Sequence, residues 1–547
     1  MKPRVTVLPA LALALLASPA APAARAQKAP TYTEPYRPQY HLTPAVNWMN
    51  DPNGLVFYRG EYHLFYQYNP FGIRWGHMSW GHAVSPDLVH WQHLPVAIPE
   101  QGEVMAFSGS AVVDWENSSG FGKGGEPPLV AIYTGHRGAA KNQSQYLAYS
   151  TDRGRTWTRY AGNPVLDVGL ADFRDPKVFW YAPQRKWVMA LAIPTEHKIR
   201  LYASPDLKQW TQLSEFGPAG AVGGVWECPD LFELPVDGDS GKTRWVLIVN
   251  LNPGGIAGGS GAQYFVGNFD GTRFMAEPGA GSSVAGTADA GASDSAGVSR
   301  SPTLWADYGQ DFYAAVSWSD VPQADGRRIW IGWMNNWLYG QDIPTSPWRS
   351  AQSVPRTLAL RTTRAGIRLV QQPVAELQRL RGPQRHLDAQ AIPPGSTSLS
   401  SRGIAGKALE IVAELEVGTA SEVGLKVRTG GGAETVIGVD PKRGELFVDR
   451  TRSGQAAFSP EFSGRQSGPL PVENGRVRLH VFVDWSSVEV FAGMGETVIT
   501  DQIFPPPRSE GVALYAKGGS ARLVSLDAWP LRSAWTPAPA GTSEGVR

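Results

Sequence analysis

Cysteine is almost absent from this chain of 547 residues, which contains only Cys228. No intramolecular disulfide can form, so stability must come from buried apolar side chains. The length is sufficient for two domains with sizeable cores. No histidine lies near Cys228 in sequence, and a lone cysteine is more often a small buried hydrophobe than a nucleophile. We therefore assign no covalent chemistry to it.

An excess of either charge is also missing. Lys and Arg total 50 and Asp and Glu total 49, which leaves a net charge of +1. A nucleic acid or another acidic polymer usually requires a basic surface, so we expect no nucleic-acid partner. The 20 tryptophans favour a neutral ligand, because indole faces pack well on sugar rings. Any single tryptophan, however, more often fills a core.

Cofactor motifs and membrane spans are lacking too. His77, His82, His90 and His93 lie close together, but their spacing does not match a metal-binding pattern. The chain has no glycine loop that would cradle a phosphate, and one Gly-x-Ser-x-Gly match lies in the C-terminal tail with no strand before it. We expect no metal and no other cofactor. Beyond the N-terminus, no segment is long and apolar enough to span a membrane.

The N-terminus has the features of a secretory signal peptide over residues 1–26. Lys2 and Arg4 precede an apolar stretch at 5–16, and a small-x-small cleavage site ends at Ala26. That stretch is well short of the roughly 20 residues that a membrane span needs. We predict a secreted protein, extracellular or periplasmic, that is cleaved near Ala26.

The rest of the chain predicts an all-β fold. Short runs of β-branched and aromatic residues alternate with Gly, Pro, Asn and Asp, as at 62–68, 129–133, 187–191 and 245–249. Helix signals are scarce.

A degenerate repeat organises the first part of the chain. Residues 85–91 and 204–210 share five of seven positions, in the pattern Ser-Pro-Asp-Leu-x-x-Trp, and a looser copy spans 150–157. We interpret each copy as a hairpin turn followed by a tryptophan that packs between neighbouring sheets. A period of 50–60 residues built from short strands is typical of propeller blades, and about five would fit before residue 356.

The pattern changes near residue 364. We predict a propeller over 35–364 and a linker over 365–384, with one short helix beginning at Val374. A β-sandwich follows over 385–535, and the tail at 536–547 is predicted to be disordered. A segment rich in Gly, Ala and Ser at 276–301 interrupts the propeller as a surface loop.

Three acids stand in unusual sequence contexts. Cleaving a glycosidic bond needs two carboxyl groups, one to attack or activate water and one to protonate the leaving oxygen. Asp51 lies in Asn-Asp-Pro-Asn-Gly, which by itself is most simply a turn. Asp175 lies between Arg174 and Pro176, where a neighbouring cation would favour its ionised form. A surface ion pair would explain the same setting. Glu227 lies between Trp and Cys, where a protonated form suited to a general acid would be favoured; its simpler interpretation is a solvent-facing strand edge.

Taken together, the motifs around these acids resemble glycoside hydrolase family 32, the β-fructofuranosidases, and most closely bacterial levanases and exo-inulinases. The likeness covers nearly the whole mature chain. It is carried by the segments 41–44, 48–54, 67–70, 75–77, 107–110, 174–176, 227–230, 332–337 and 344–349.

The resemblance implies a five-bladed β-propeller with an axial active site, followed by a β-sandwich. It also implies a retaining reaction on fructans such as levan or inulin, and on sucrose. Asp51 would be the nucleophile, Glu227 the acid/base and Asp175 the transition-state stabiliser. The residues expected to bind substrate are Asn50, Gln67, Trp75, Phe107, Ser108, Arg174 and Trp337.

Three alternatives stay open at this point. A fructosyltransferase would use the same covalent intermediate but pass it to a sugar instead of water. A non-catalytic propeller would bind carbohydrate without cleaving it. A pentose-cleaving propeller glycosidase would share the architecture and the carboxylate trio.

Overall fold

The regular secondary structure of the protein is almost entirely β-strand, as predicted. The structure is a computed structural model that describes residues 30–277, 303–470, 472 and 474–535. The predicted signal peptide, the predicted disordered tail and all but the first two residues of the 276–301 segment lie outside the described residues. Within the described residues the only helices are short 3₁₀ helices, at Ala182–Gln184, Pro194–Glu196, Ala375–Leu380 and Ser400–Arg402.

The first half contains successive groups of four antiparallel strands. The first group is β1 (Asn47–Tyr58), β2 (Glu61–Asn69), β3 (Ser79–Ser85) and β4 (Gln92–Ile98). The second is β5 (Met105–Val113), β6 (Leu129–Arg137), β7 (Asn142–Ser150) and β8 (Thr158–Arg159). The third is β9 (Arg174–Tyr181), β10 (Lys186–Ile193), β11 (Lys198–Ser204) and β12 (Thr211–Phe216).

A ten-stranded sheet follows, in which two further four-stranded groups are joined by one parallel bridge between Val236 and Leu360. The first of them is β13 (Val225–Val236), β14 (Asp239–Asn252), β15 (Gly261–Phe269) and β16 (Phe274–Ala276), with β17 (Leu304–Trp305) paired to β15. The second uses β18 (Tyr313–Ser317), β19 (Arg328–Met334), β22 (Arg356–Thr363) and β23 (Gly366–Pro373). Between β19 and β22, β20 (Trp348–Arg349) returns to pair in parallel with β1, and β21 (Ala351–Gln352) pairs with β19.

The first strands of these five groups contact one another in a closed ring. β1 contacts β5, β5 contacts β9, β9 contacts β13, β13 contacts β18, and β18 contacts β1 again. The pairing of β20 with β1 adds a hydrogen bond from Asn47 N to Pro347 O at 2.7 Å. The first strands of the five groups therefore surround a common axis.

The repeated Ser-x-Asp segments form the predicted turns. They connect β3 to β4, β7 to β8 and β11 to β12, which are equivalent positions in three groups. In each turn the indole N–H donates to a carbonyl three residues earlier: Trp91 to Leu88, Trp157 to Gly154 and Trp210 to Leu207. Each tryptophan then packs on a core shared with a neighbouring group, as predicted.

The second half consists of two antiparallel sheets. The first sheet contains β24 (Arg385–Leu387), β25 (Gln390–Ile392), β27 (Leu409–Glu416), β32 (Arg476–Asp484), β33 (Ser487–Ala492), β34 (Thr497–Gln502) and β36 (Ala521–Pro530). The second contains β26 (Gly395–Ser398), β28 (Glu422–Gly430), β29 (Ala433–Asp440), β30 (Glu445–Asp449), β31 (Arg465–Pro469) and β35 (Gly511–Lys517).

One apolar core fills the space between these two sheets. Alternate side chains of β27, such as Ile411 and Ala413, face alternate side chains of β28, such as Leu425 and Val427, and all four are completely buried. The period of two follows from the pleat of a strand, and burial of this apolar surface is the main stabilising contribution in this half.

The connection between the halves differs in detail from the linker expected at 365–384. Residues 366–373 form β23, which pairs with β22 along its whole length, so the sheet continues past residue 364. The predicted helix is a 3₁₀ helix at Ala375–Leu380, with Leu377 and Leu380 buried. None of the helices in the described part of the chain is long and apolar enough to cross a membrane.

Buried ion pairs join the two halves. His41 lies between Asp484 and Glu489 of the second half, at 2.7 and 2.9 Å. Arg356 of the first half also binds Glu489, at 2.6 Å, and binds Asp307 at 2.9 Å. All of these side chains are almost completely inaccessible to solvent, and removing one partner from such a pair strongly destabilises a protein.

Candidate active site

The three predicted acids lie at the beginnings of three strands of the ring. Asp51 is in β1, Asp175 is the second residue of β9, and Glu227 is the third residue of β13. These positions share one end of the ring, and the three side chains converge there. Asp175 is 6% exposed, and the side chain of Glu227 is 19% exposed.

Each ring strand that carries a site residue is irregular at that residue. The pairing register shifts between Met49 and Pro52 in β1, and between Glu227 and Asp230 in β13. The register of β9 shifts at Asp175 and Pro176, and the register of β5 shifts between Ala106 and Gly109. Such bulges re-aim side chains and are common beside active sites. The prolines after the acids contribute because they have no N–H for the ladder.

Asp51 therefore lies inside a bulged strand and not in the turn that its sequence suggested. Gly54 makes the tight backbone path possible: its φ is +53°, and a Cβ there would meet Phe65 at 2.6 Å and Trp80 at 2.7 Å. Asp51 Oδ2 accepts a hydrogen bond from Ser108 Oγ at 2.7 Å, and Oδ1 accepts one from Asn50 Nδ2 at 3.1 Å.

Burial raises the pKa of Asp51 above its ordinary value, and the negative charge of Glu227 adds to the rise. The hydrogen bonds from Ser108 and Asn50 oppose it, because they stabilise the ionised form. The carboxylate is thus poorly hydrated but held by two donors, which suits a nucleophile that must keep a fixed direction.

Asp175 is the most buried of the three acids. Its φ of +66° places it in the left-handed region, where its own N–H donates to Thr134 Oγ1 at 3.0 Å. Burial is the main cause that raises its pKa, to about 7. The charge of Arg174 opposes this rise, whereas the charges of Glu227 and Asp51 add to it.

Arg174 contacts Glu227 and lies beside Asp172 and Asp175. Its Nε and Nη2 donate to Glu227 Oε1 at 3.1 and 3.0 Å, and its Nε lies 4.0 Å from Asp175 Oδ2. Its Nη1 donates to Asp172 Oδ1 at 2.7 Å. Although burial would lower the pKa of Arg174, the charges of Glu227 and Asp175 raise it, so the guanidinium stays charged. One cation therefore balances a cluster of carboxylates.

Tyr313 is a site residue that sequence reasoning missed. It begins β18, is 1% exposed, and its hydroxyl donates to Glu227 Oε2. Glu227 is thereby held from both sides, by Arg174 on one oxygen and by Tyr313 on the other. No local motif marks this tyrosine.

Cys228 is buried, as expected, but it also has contacts that were not expected. Its backbone N–H donates to Asp175 Oδ2 at 2.9 Å, and its sulfur lies 3.6 Å from an oxygen of both Asp51 and Asp175. Its φ of +43° is unusual for a residue with a side chain. Burial and the nearby carboxylates raise the pKa of the thiol far above its ordinary value, so it stays protonated. It is a spacer between the acids.

Four of the seven predicted binding residues meet the acids directly or through a neighbour in sequence. Asn50, Ser108 and Arg174 form the hydrogen bonds described above. Phe107 precedes Ser108 and stacks on His136, with ring centroids 4.4 Å apart.

The other three lie farther out. Trp75 is 39% exposed and meets the edge of Phe107, with ring centroids 6.0 Å apart, at the rim of the site. Gln67 is buried and donates to Ala106 O at 2.9 Å, so it supports the strand that carries Ser108. Trp337 packs on Trp48, whose indole N–H donates to Asn50 Oδ1.

The arrangement has the components that glycosidic bond cleavage requires. It offers a directed carboxylate in Asp51, a second carboxyl in Glu227 held at both oxygens, and a third in Asp175 beside a fixed cation. Aromatic rings at the rim provide apolar faces for a sugar. Among the described residues, no group of three or more His, Cys, Asp or Glu side chains is arranged to hold a metal ion.

Comparisons with known proteins agree with this chemistry. Residues 41–373 match the model of the Glycosyl hydrolases family 32 N-terminal domain, and residues 376–530 match that of the Glycosyl hydrolases family 32 C terminal. A levanase of Bacillus subtilis (strain 168) is 53% identical over 513 residues, which cover 93% of this chain and 72% of the levanase. An extracellular exo-inulinase of Aspergillus awamori is 44% identical, over 92% of this chain and 96% of the inulinase.

Solved structures show the same relationship. The crystal structure of the exo-inulinase from Aspergillus awamori superposes with a TM-score of 0.82 at 42% identity, over 92% of this chain and all of that one. The β-fructofuranosidase of Schwanniomyces occidentalis, complexed with fructosyl-erythritol, superposes with a TM-score of 0.78 at 30% identity, over 92% of this chain and 98% of that one.

Proposed function

This chain belongs to glycosyl hydrolase family 32, and from that premise we propose how it releases fructose from fructans and sucrose. It is a fructan glycosidase. The observation that carries the proposal for its site is the convergence of Asp51, Asp175 and Glu227, which come from three separate ring strands and meet around Cys228 and Arg174.

The fold that supports this site is a five-bladed β-propeller followed by a β-sandwich. Two observations support five blades. There are five groups of four strands, and their first strands contact one another in a closed ring. In a propeller the first strands of the blades line the axis, which is where the three acids meet.

In the first step the Asp51 carboxylate attacks the anomeric carbon of a terminal fructosyl unit. The bond from that carbon to the leaving oxygen breaks, and the proton of Glu227 passes to the leaving oxygen. The products of this step are a fructosyl ester of Asp51 and the shortened sugar. Arg174 and Tyr313 keep Glu227 directed at the leaving oxygen, since they hold both of its oxygens.

In the second step Glu227 removes a proton from water, and the water oxygen attacks the same carbon. The ester bond breaks, fructose leaves, and Asp51 is a carboxylate again. Two displacements at one carbon retain its configuration. Asp175 stabilises the positive charge that develops on the sugar ring and binds its hydroxyls.

The ionisation of Asp175 depends on its surroundings. Burial raises its pKa to about 7, and the charges of Glu227 and Asp51 add to the rise, whereas the charge of Arg174 opposes it. The ionised form of Asp175, which stabilises the charge on the sugar ring, is therefore favoured as the pH rises through about 7.

Secretion is part of the proposal. It is supported by the signal-peptide pattern of residues 1–26 and by the similarity to an extracellular exo-inulinase. The expected substrates are polymers outside the cell.

The test compares fructose release by the wild type, Asp51→Asn and Glu227→Gln, on sucrose, levan and inulin. Glu227→Gln should lower kcat/KM by roughly 10²- to 10⁴-fold, and Asp51→Asn by on the order of 10⁴-fold or more. Glu215→Gln is the matched control, because Glu215 pairs with Arg200 at the edge of its sheet, in β12. Wild-type rates in both site variants would show that the site is assigned wrongly.

Product analysis completes the test. Fructose alone from levan or inulin indicates attack at chain ends, whereas a ladder of oligomers indicates internal attack. Growing oligosaccharides from concentrated sucrose, instead of equal glucose and fructose, would favour the fructosyltransferase. NMR of the first anomer released would contradict the retaining mechanism if its configuration were inverted.

A further inference from the structure

A second cavity, which we call the distal cavity, lies at the other end of the ring of strands. Its volume is about 760 Å³, within the usual range for small-molecule sites. Along β9, Asp175 belongs to the active site and Phe179 to the distal cavity, four residues farther on and roughly 13 Å away in an extended strand. Along β13, three residues separate Glu227 in the active site from Asp230 in the distal cavity.

Lys177 and Asp230 lie at the inner end of the distal cavity. Lys177 Nζ donates to Ser317 O at 2.5 Å and lies 3.3 Å from Asp230 Oδ2, which also accepts a hydrogen bond from Ser317 N at 2.7 Å. These contacts account for two of the three N–H groups of the ammonium. Lys177 is 5% exposed and Asp230 is fully buried.

The other oxygen of Asp230 has no hydrogen-bond partner among the residues that the structure describes. A buried carboxylate oxygen without a donor is costly, so native structures normally provide one. Asp230 lines the distal cavity. Within the described part of the chain, the inner end of the cavity thus offers an acceptor that needs a donor and an ammonium with one N–H beyond its two contacts.

Aromatic rings form the walls. Trp115 is 56% exposed, and its indole N–H donates to Asp320 Oδ1 at 2.9 Å, which fixes the ring. Phe179 and Trp180 are partly exposed along the last residues of β9. Positive and negative side chains are both present, so the cavity does not select a strongly charged ligand.

We propose that the distal cavity is a non-catalytic binding site for a neutral sugar unit. A sugar presents a hydroxyl donor to Asp230, a hydroxyl acceptor to Lys177, and an apolar ring face to Trp115. The inference concerns binding only and stands apart from the proposed catalysis, because a chain without activity would still contain this cavity.

The experiment uses the full chain labelled with 5-fluorotryptophan and observed by ¹⁹F NMR during titration with fructose and with glucose. The resonance of Trp115, assigned through Trp115→Phe, should shift and saturate. Trp485, a partly buried tryptophan of the second half, serves as the internal control and should not move. Trp180→Ala should weaken the binding that Trp115 reports roughly tenfold, while sucrose cleavage stays at the wild-type rate.

A resonance of Trp115 that stays fixed, while that of Trp75 in the active site moves, would overturn the proposal. So would a crystal soaked in fructose that shows only water or an inorganic ion beside Asp230. Failure of the proposed function has a different signature, since it would appear as missing fructose release and would leave the Trp115 titration unchanged.

Discussion

The buried histidine between the two halves makes stability depend on pH in a defined direction. His41 Nδ1 is bonded to Asp484 Oδ2 and Nε2 to Glu489 Oε1. Carboxylates accept hydrogen bonds, so both ring nitrogens act as donors and the ring is an imidazolium. Burial alone would lower the pKa of His41, but the hydrogen bonds and charges of Asp484 and Glu489 outweigh it and raise the pKa from 6.5 to about 9.

The size of this pH effect on stability follows from the difference between the ordinary pKa of histidine, 6.5, and the pKa of His41 in the folded chain, about 9. The folded chain binds the proton more tightly than the unfolded chain, so the resulting stability is fully present below pH 6.5. It is lost as the pH rises through about 9. One pKa unit is worth about 1.4 kcal/mol, and the free energy of unfolding should fall by about 3 kcal/mol over this interval.

The assay is urea unfolding of the wild type and of His41→Gln at several pH values from roughly 6 to 10. The variant should be less stable than the wild type at pH 6 by roughly 3–5 kcal/mol, because Asp484 loses its cation and Glu489 keeps only Arg356. The two curves should converge as the pH rises. His77→Gln, at a histidine whose side chain is 59% exposed, is the matched control. Parallel curves for wild type and His41→Gln would refute the reasoning.

Three further predictions concern the site. Tyr313→Phe removes a hydrogen bond from Glu227, and kcat in steady-state sucrose cleavage should fall roughly 10- to 100-fold with little change in KM; an unchanged kcat would rule out a positioning role. Burial and the charges of Glu227 and Asp51 outweigh the opposing charge of Arg174 and raise the pKa of Asp175 from 3.8 to about 7, so its ionisation costs stability as the pH rises through that interval. Asp175→Asn should therefore lose activity yet melt at a higher temperature than the wild type at pH 8, and a lower melting temperature would contradict this. Trp75→Ala removes a rim ring that is 39% exposed, so KM for fructan should rise several-fold with kcat nearly constant; a collapse of kcat would mean that the ring acts in the chemistry.

Features encoded within a few residues were accessible from sequence. The repeat ending in Trp91 and Trp210 predicted equivalent turns, and the structure contains them. The runs of β-branched and aromatic residues at 129–133 and 187–191 predicted strands, and they lie in β6 and β10. The contexts of Asp51, Asp175 and Glu227 singled out the acids that meet in the structure. Each of these signals depends on local backbone preferences or on the period of a strand.

The segment around Asp51 differs from its prediction. Asn-Asp-Pro-Asn-Gly predicts a turn because each residue favours turns, yet it lies within β1. The same residues favour a bulge when strands on both sides hold the segment in a sheet. Pro52, Pro176 and Pro229 all follow site acids within strands, and a proline inside a run of strand residues is the available signal for such a bulge.

Contacts between distant strands could not be predicted. Tyr313 reaches Glu227 from 86 residues away, and His41 reaches Asp484 from 443 residues away. A single sequence gives no register between such strands. The second bond to Glu227 and the ion pairs between the halves therefore became visible only in three dimensions.

The pairing of β1 with β20 has a consequence for synthesis of the protein. The strand that carries Asp51 leaves the ribosome about 300 residues before its partner β20. At a synthesis rate of roughly 5–20 residues per second, one edge of β1 lacks its partner strand for about 15–60 s. During that time it presents free backbone groups to chaperones and to other nascent chains. The carboxylate of Asp51 is therefore made long before the strand that completes this edge of its sheet.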